Sequence, residues 1–121
     1  MNEPFTQHPN LSPEINAAII ESEIDGGADI TKLPVGHSLR VETQHMVYTI
    51  KREAKGDEGL TIQGHPRYCP FTVKAYIHGS TWGGSMIKVG FVGRGMYLEF
   101  STVDHPGAIT TSKIQNVEEA V

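Results

Sequence analysis

The residues best suited to bind a ligand or a partner lie in or beside one glycine-rich stretch, residues 79–88. It holds the single tryptophan of the chain, Trp82. A tryptophan in a turn can anchor a contact through its large apolar ring and its indole N–H, and neighbouring glycines let a ligand or another chain approach closely. The stretch therefore predicts a site for a small ligand or a protein partner. The candidate contact residues are Trp82, Ser80, Ser85, Lys88, Arg94 and Tyr76.

A hydrolytic site has weaker support in the sequence. Ser80 or Ser85 could act as a nucleophile beside a histidine and an acid, such as His78 and Glu99. The Gly-x-Ser-x-Gly pattern that presents a nucleophilic serine in α/β-hydrolases is absent from the chain. Ser80, Ser85, His78 and Glu99 therefore give an alternative interpretation, not the leading one.

A metal-dependent enzyme is a further alternative. The six histidines and the single cysteine, Cys69, show none of the spacings typical of zinc sites. His45, His65 and His78 could converge only if a folded barrel brought them together. The sequence therefore favours a non-enzymatic protein, with no catalytic residue, no metal and no cofactor assigned.

Charge is unevenly distributed along the chain, whose formal net charge is -4. Residues 1–36 carry -5, from six acids against one lysine, whereas residues 37–121 carry +1, from nine basic residues against eight acids. Lys74 and Tyr76 share one strand face, and small barrels bind single-stranded nucleic acid through aromatic and basic side chains. This binding is kept as an alternative function, but the near-neutral body argues against nucleic acid as a partner.

Alternation of apolar and polar residues with a period of two begins near Ser38. Predicted strands cover residues 38–42, 46–51, 60–63, 71–78, 96–101 and 109–111. Short strands separated by turns are typical of a small antiparallel β-barrel or a compact sandwich. Ile114 and Val117 lie three positions apart, so we expect a bulge or a turn there. In a barrel, Trp82 would either contact a partner or pack back to close one end.

An acidic arm precedes the strands. A serine, a proline and a glutamate at residues 12–14 form a typical helix start, and Ile15 and Ile19 share one helix face. The sequence therefore predicts one N-terminal α-helix over residues 12–25. Because its isoleucine face needs to be covered, we expect a homo-oligomer, most simply a dimer.

The chain divides into an acidic N-terminal tail and helical arm, residues 1–36, and a small β-barrel domain, residues 37–121. The fold class expected is mainly β. No apolar run is long enough for a membrane helix, and the first residues lack the pattern of a secretory signal. We therefore expect a cytoplasmic protein that has no membrane partner.

Three segments of the barrel region form a distinctive string. They are Gly79-Ser80-Thr81-Trp82-Gly83-Gly84-Ser85-Met86-Ile87-Lys88, Gly95-Met96-Tyr97-Leu98-Glu99-Phe100 and Ile109-Thr110-Thr111-Ser112. The string resembles short bacterial proteins of unknown function, and the resemblance covers residues 37–118. It implies no activity. The leading interpretation is therefore a non-enzymatic β-barrel that works as a binding or assembly module.

Overall fold

The computed structural model describes residues 27–83 and 87–120. The helix predicted over residues 12–25 lies outside them. Within the described ranges, the only helix is a 3-10 turn at Ile30–Lys32, and no helix is long and apolar enough to cross a membrane. The strands are β1 (Gly27–Asp29), β2 (Ser38–Thr43), β3 (Val47–Arg52), β4 (Leu60–Gln63), β5 (Val73–Thr81), β6 (Ile87–Val89), β7 (Phe91–Gly93), β8 (Tyr97–Thr102) and β9 (Ile109–Ala120).

Six of these strands close into an antiparallel barrel. Their order around the barrel is β4, β3, β2, β9, β8 and β5, and β4 then pairs with β5. The prediction of a mainly β protein with a small antiparallel barrel is confirmed, and closure decides between the barrel and the sandwich. β6 extends the sheet beside the end of β5, and β1 and β7 form a separate two-stranded ribbon.

The core follows from the alternation along the barrel strands. On β3, for example, Tyr48, Ile50 and Arg52 are buried while the residues between them are exposed. The ring of Tyr48 meets the ring of Phe100 edge to face, with centroids 5.9 Å apart. Burying such side chains is the main favourable term in folding. The largest fully buried apolar side chains are Phe100, Leu39, Ile50, Ile62, Met96, Leu98, Ile114, Val41 and Val92.

A β-bulge interrupts the pairing of β5 with β8. Ile77 pairs with Phe100 and Gly79 pairs with Glu99, so His78 is the extra residue of the bulge. An extra residue bends a strand and re-aims its side chains. The bulge turns His78 toward the outer face of the barrel and lets Ser80 point inward, where it is fully buried.

A second bulge explains the spacing at the end of the chain. Val41 of β2 pairs with Val117 of β9, whereas Thr43 pairs with Ile114, so the register shifts between them. The bulge expected near Ile114 and Val117 is therefore present, and β9 continues through it as a strand. The irregular spacing of Ile114 and Val117 is explained by this bulge, which lies in one long strand that pairs with both β8 and β2.

The segment that precedes β2 packs on the barrel. β1 pairs with β7, and the backbone N–H of Ile30 donates to the carbonyl of Gly90 at 2.7 Å. Ile30 and Leu33 are buried and belong to the main apolar cluster. Residues 27–33, which the sequence-based division assigns to the arm, therefore contribute to the barrel core.

Candidate functional site

The barrel has a seam where β4 meets β5. Only two residue pairs join these strands, Thr61 with Lys74 and Ile62 with Val73. The same edge of β5 pairs with β6 from Gly79 onward. Between these pairings, residues 75–77 have no strand partner on that side within the described ranges, and the His78 carbonyl accepts from the backbone N–H of Gly90 at 3.0 Å. Because β4 begins at Leu60 and β6 pairs with β5 only from Gly79, a cleft lies between β4 and β6 at this point.

The seam cleft has a volume of about 260 Å³ and combines apolar walls with a few polar groups. Its apolar side chains include Ile30, Leu60, Ile77 and Val89. Its charged or titratable side chains are Arg52, Asp57 and His78, and Tyr76 stands at the exposed outer face. Concave sites with apolar walls and a small number of polar groups are typical of ligand pockets.

Arg52 is the buried cation of this cleft. It occupies the inward position at the end of β3 and is 6% exposed. Its Nε donates to the Leu33 carbonyl at 3.2 Å and its Nη2 to the Ile30 carbonyl at 2.8 Å. Its Nη1 donates to the carbonyls of Gly56, at 2.6 Å, and Ala54, at 3.4 Å. The guanidinium therefore joins the segment before β2 to the loop between β3 and β4.

A line of three polar side chains runs across β5 and β8 beside the cleft. His78 Nδ1 lies 3.0 Å from Glu99 Oε2, and His78 Nε2 lies 3.1 Å from Ser101 Oγ. Glu99 and Ser101 occupy alternate positions on β8, and the bulge at His78 brings the imidazole between them. The order hydroxyl, imidazole and carboxylate matches that of a nucleophile, its base and the acid that orients the base.

Two of the contact residues predicted from sequence have clear positions on β5. Tyr76 is exposed and lines the seam cleft. Ser80 is fully buried, its hydroxyl donates to the Phe91 carbonyl at 2.6 Å, and the same oxygen lies 3.3 Å from Met96 Sδ. Ser80 therefore joins strands inside the protein and has no surface to offer a ligand. Ser85 lies outside the described residues.

Trp82 packs against the turn before β8. Its ring carbons Cη2 and Cζ3 stand 3.4 Å from the place that a β-carbon on Gly95 would occupy. The residue is half-buried, and its indole Nε1 is buried with no hydrogen-bond partner in the described part of the chain. The Trp82 ring therefore packs against the turn at Gly95, and its closing of one end of the barrel stays a prediction.

The remaining two contact residues lie on either side of β7. Lys88 Nζ stands 4.8 Å from the centroid of the Phe91 ring, and burial lowers the pKa of the Lys88 ammonium. Arg94 is exposed in the turn that follows β7. Neither residue lines the seam cleft. The structure therefore places Tyr76 at the cleft and the other described contact residues, Ser80, Trp82, Lys88 and Arg94, elsewhere.

Cys69 and the histidines bear on the enzymatic alternatives. Cys69 is fully buried, the backbone N–H of His65 donates to its sulfur at 3.3 Å, and burial raises the pKa of the thiol. A buried thiol with a raised pKa is a poor nucleophile. In the two described ranges, no group of three or more histidine, cysteine, aspartate or glutamate residues is placed to hold a metal ion.

Two residues of this region, Arg52 and Ser101, are not among those predicted from the sequence. Arg52 follows Tyr48 and Ile50 at the next inward position of one strand, and a basic residue at an inward position is itself a signal of a buried polar site. Ser101 lies two positions after Glu99, so the period of two places both on one face. Comparisons with family models, with curated proteins and with solved structures give no match, so the geometry alone supports any assignment.

Proposed function

We propose that the protein is a small β-barrel binding module that takes a small molecule into the seam cleft. The observation that supports it is the gap beside residues 75–77, between the pairing of β5 with β4 and its pairing with β6. Closed barrels leave no strand edge exposed, so a local gap with apolar walls marks a place where a second molecule can complete the packing. The leading interpretation from sequence, a non-enzymatic binding module, is kept here with a different site.

The polar groups of the cleft support recognition of a definite molecule. Arg52 stands at one part of the cleft and His78 at another, and both are held by hydrogen bonds to other residues. Groups that are fixed before binding lose little freedom when a ligand arrives. A ligand would therefore bind through shape against the apolar walls and through oriented polar contacts.

The test is a titration of the ¹⁵N-labelled protein with a set of charged and neutral small molecules, followed by NMR. We expect shift changes concentrated on residues 76–78 and on Val89 and Gly90. Val89 lines the cleft and is 82% exposed, so Val89→Trp should narrow the cleft and weaken binding. The matched control is Val103→Trp, at an exposed position that does not line the cleft. The proposal would be overturned if Val89→Trp bound the ligand as tightly as the wild type does, or if no molecule of the set bound at the cleft.

A second candidate function, ester hydrolysis, is supported by the line of Ser101, His78 and Glu99. Ser101 Oγ would attack the acyl carbon of an ester and pass its proton to His78 Nε2, while Glu99 accepts from Nδ1–H. The alcohol would leave with that proton, and water would release the acid by the same exchange. Ser101 is only 6% exposed, so this function requires the side chains around it to open.

Release of nitrophenolate from p-nitrophenyl acetate tests this candidate. If it holds, Ser101→Ala should lower the rate by roughly 10³-fold or more. The control is Ser112→Ala, which removes a hydroxyl bonded to Thr43 Oγ1 at 2.9 Å, away from His78. A wild-type rate equal to that of buffer, or equal rates for the wild type and Ser101→Ala, would exclude the serine as a nucleophile.

A further inference from the structure

We infer that the ligand of the seam cleft is a small organic carboxylate, whose negative charge is recognised by the guanidinium of Arg52. This inference rests on the proposed binding function and names the chemical class of its ligand. Three observations carry it: among the described residues one N–H of Arg52 has no acceptor, its charge has no ion-pair partner there, and the walls of the cleft are apolar.

One N–H of the Arg52 guanidinium has no hydrogen-bond acceptor among the described residues. A guanidinium has five N–H groups. Four are directed at backbone carbonyls, those of Leu33, Ala54, Gly56 and Ile30. The second N–H of Nη2 has no acceptor among the described residues. Because the side chain is almost fully buried and lines the cleft, an acceptor for this N–H can come from a molecule in the cleft.

Within residues 27–83 and 87–120, the charge of Arg52 also lacks an ionic partner. No carboxylate of the described residues forms an ion pair with it. Asp57 lines the same cleft but is neither an ion-pair nor a hydrogen-bond partner of the guanidinium. The backbone carbonyls offset part of the free-energy cost of burying the guanidinium. Buried charges in proteins are usually paired with an opposite charge. A bound anion would supply the missing charge.

The walls of the cleft decide between an inorganic and an organic anion. Ile30, Leu60, Ile77 and Val89 surround a volume of about 260 Å³. Phosphate or sulfate would leave these side chains facing water, because neither ion has apolar surface. A carboxylate with a short aliphatic or aromatic body matches both the cation and the walls.

The test compares 3-phenylpropanoate with its neutral isostere, 3-phenylpropanamide, by ¹⁵N NMR titration of the full chain. We expect the carboxylate to bind at least about tenfold more tightly, since charge-assisted hydrogen bonds are roughly twice as strong as neutral ones. Its shift changes should include the Nε–H of Arg52 together with residues 76–78. Equal affinities at the cleft would overturn the anion inference and leave the binding function standing. If neither compound binds at the cleft, the anion inference is overturned. The titration with the wider set of small molecules then decides whether the cleft binds a ligand at all.

Two variants assign the effect to Arg52. Asp57→Asn removes a negative charge that would repel a bound carboxylate. The affinity for the carboxylate should therefore rise, while the affinity for the amide stays the same. Arg52→Lys keeps the charge but loses the planar set of donors, so the preference for the carboxylate should fall if the variant folds. If Arg52→Lys does not fold, the Asp57→Asn result still decides: unchanged carboxylate affinity, or an equal change for both compounds, would count against recognition by charge.

Discussion

Replacing Gly79 with alanine is expected to lower the free energy of unfolding by about 3–6 kcal/mol, from backbone strain and overpacking together. Gly79 has a φ of +140°, a region that side chains rarely adopt. A β-carbon there would overlap the carbonyl oxygen of Lys88 and stand 2.9 Å from the backbone nitrogen of Gly90. Both obstacles are backbone atoms of the chain paired with β5, so relief requires β6 to move. Urea or thermal unfolding followed by circular dichroism measures the loss.

Two other glycines separate the causes of that loss. Gly56 has a φ of +87° but open space around a β-carbon, so Gly56→Ala should cost only about 1–2 kcal/mol, the price of the left-handed backbone. Gly107 has neither a positive φ nor a close neighbour, so Gly107→Ala should leave stability unchanged within about 0.5 kcal/mol. If Gly79→Ala is as stable as Gly107→Ala, the backbones of β5 and β6 lie farther apart at Gly79 than the structure shows.

Replacing Arg52 with methionine is expected to cost about 3–5 kcal/mol, because each buried carbonyl left without its donor costs about 1–3 kcal/mol. The carbonyls of Ile30 and Leu33 are the buried acceptors, and those of Ala54 and Gly56 are partly buried. Methionine fills much of the same space, so the loss reports the hydrogen bonds more than a cavity. Folded domains of this size are stable by only about 5–15 kcal/mol. This variant should therefore unfold at a much lower denaturant concentration than the wild type.

The matched control is Lys51→Met, which removes a positive charge from the exposed neighbouring position of β3. Lys51 forms only a surface ion pair with Glu53, at 3.4 Å. Such pairs contribute about 0–1 kcal/mol, so this variant should unfold close to the wild type. If Arg52→Met and Lys51→Met lose the same small amount, the guanidinium does not hold the two segments together.

Alternation in the sequence located every strand of the barrel but not the full length of each. Each of β2, β3, β4, β5, β8 and β9 overlaps a predicted strand, and the alternation of buried and exposed residues is complete on β3. The strand predicted at residues 109–111 covers only the first part of β9, which continues to Ala120 through its bulge. The short strands β1, β6 and β7 were not assigned individually. Three residues are too few to display a period, and these strands are defined by their partners instead.

The candidate site was harder to predict because it depends on a bulge and on a gap. Simple alternation puts Tyr76, His78 and Ser80 on one face, and Ser80 was one of the two serines considered as a nucleophile beside His78. The extra residue at His78 reverses the face, so Ser80 is buried and Ser101 meets the imidazole instead. The seam depends on how few residue pairs join β4 to β5, and the pattern within each strand carries no information about that number.

Two expectations from the sequence stay predictions. The homodimer rests on the apolar face of the helix expected over residues 12–25, which lies outside the described residues. The nucleic-acid alternative rests on basic and aromatic side chains in and around β5. A further aromatic residue, Tyr68 in the loop before β5, lies between His65 and His105, with ring centroids 4.8 and 4.9 Å away. A ring already in contact with two others has less surface on which a base could stack.

The pairing of β2 with β9 has a consequence for how the chain folds as it is made. Ser38 pairs with Ala120 and Val41 with Val117, so one edge of β2 has no barrel partner until the ribosome has synthesised residues 114–120. A nascent chain that has completed only β2, β3 and β4 therefore presents an open strand edge, and such edges pair readily with other chains. Because contacts between distant residues form slowly, we expect the barrel to close only once residues 114–120 have been synthesised.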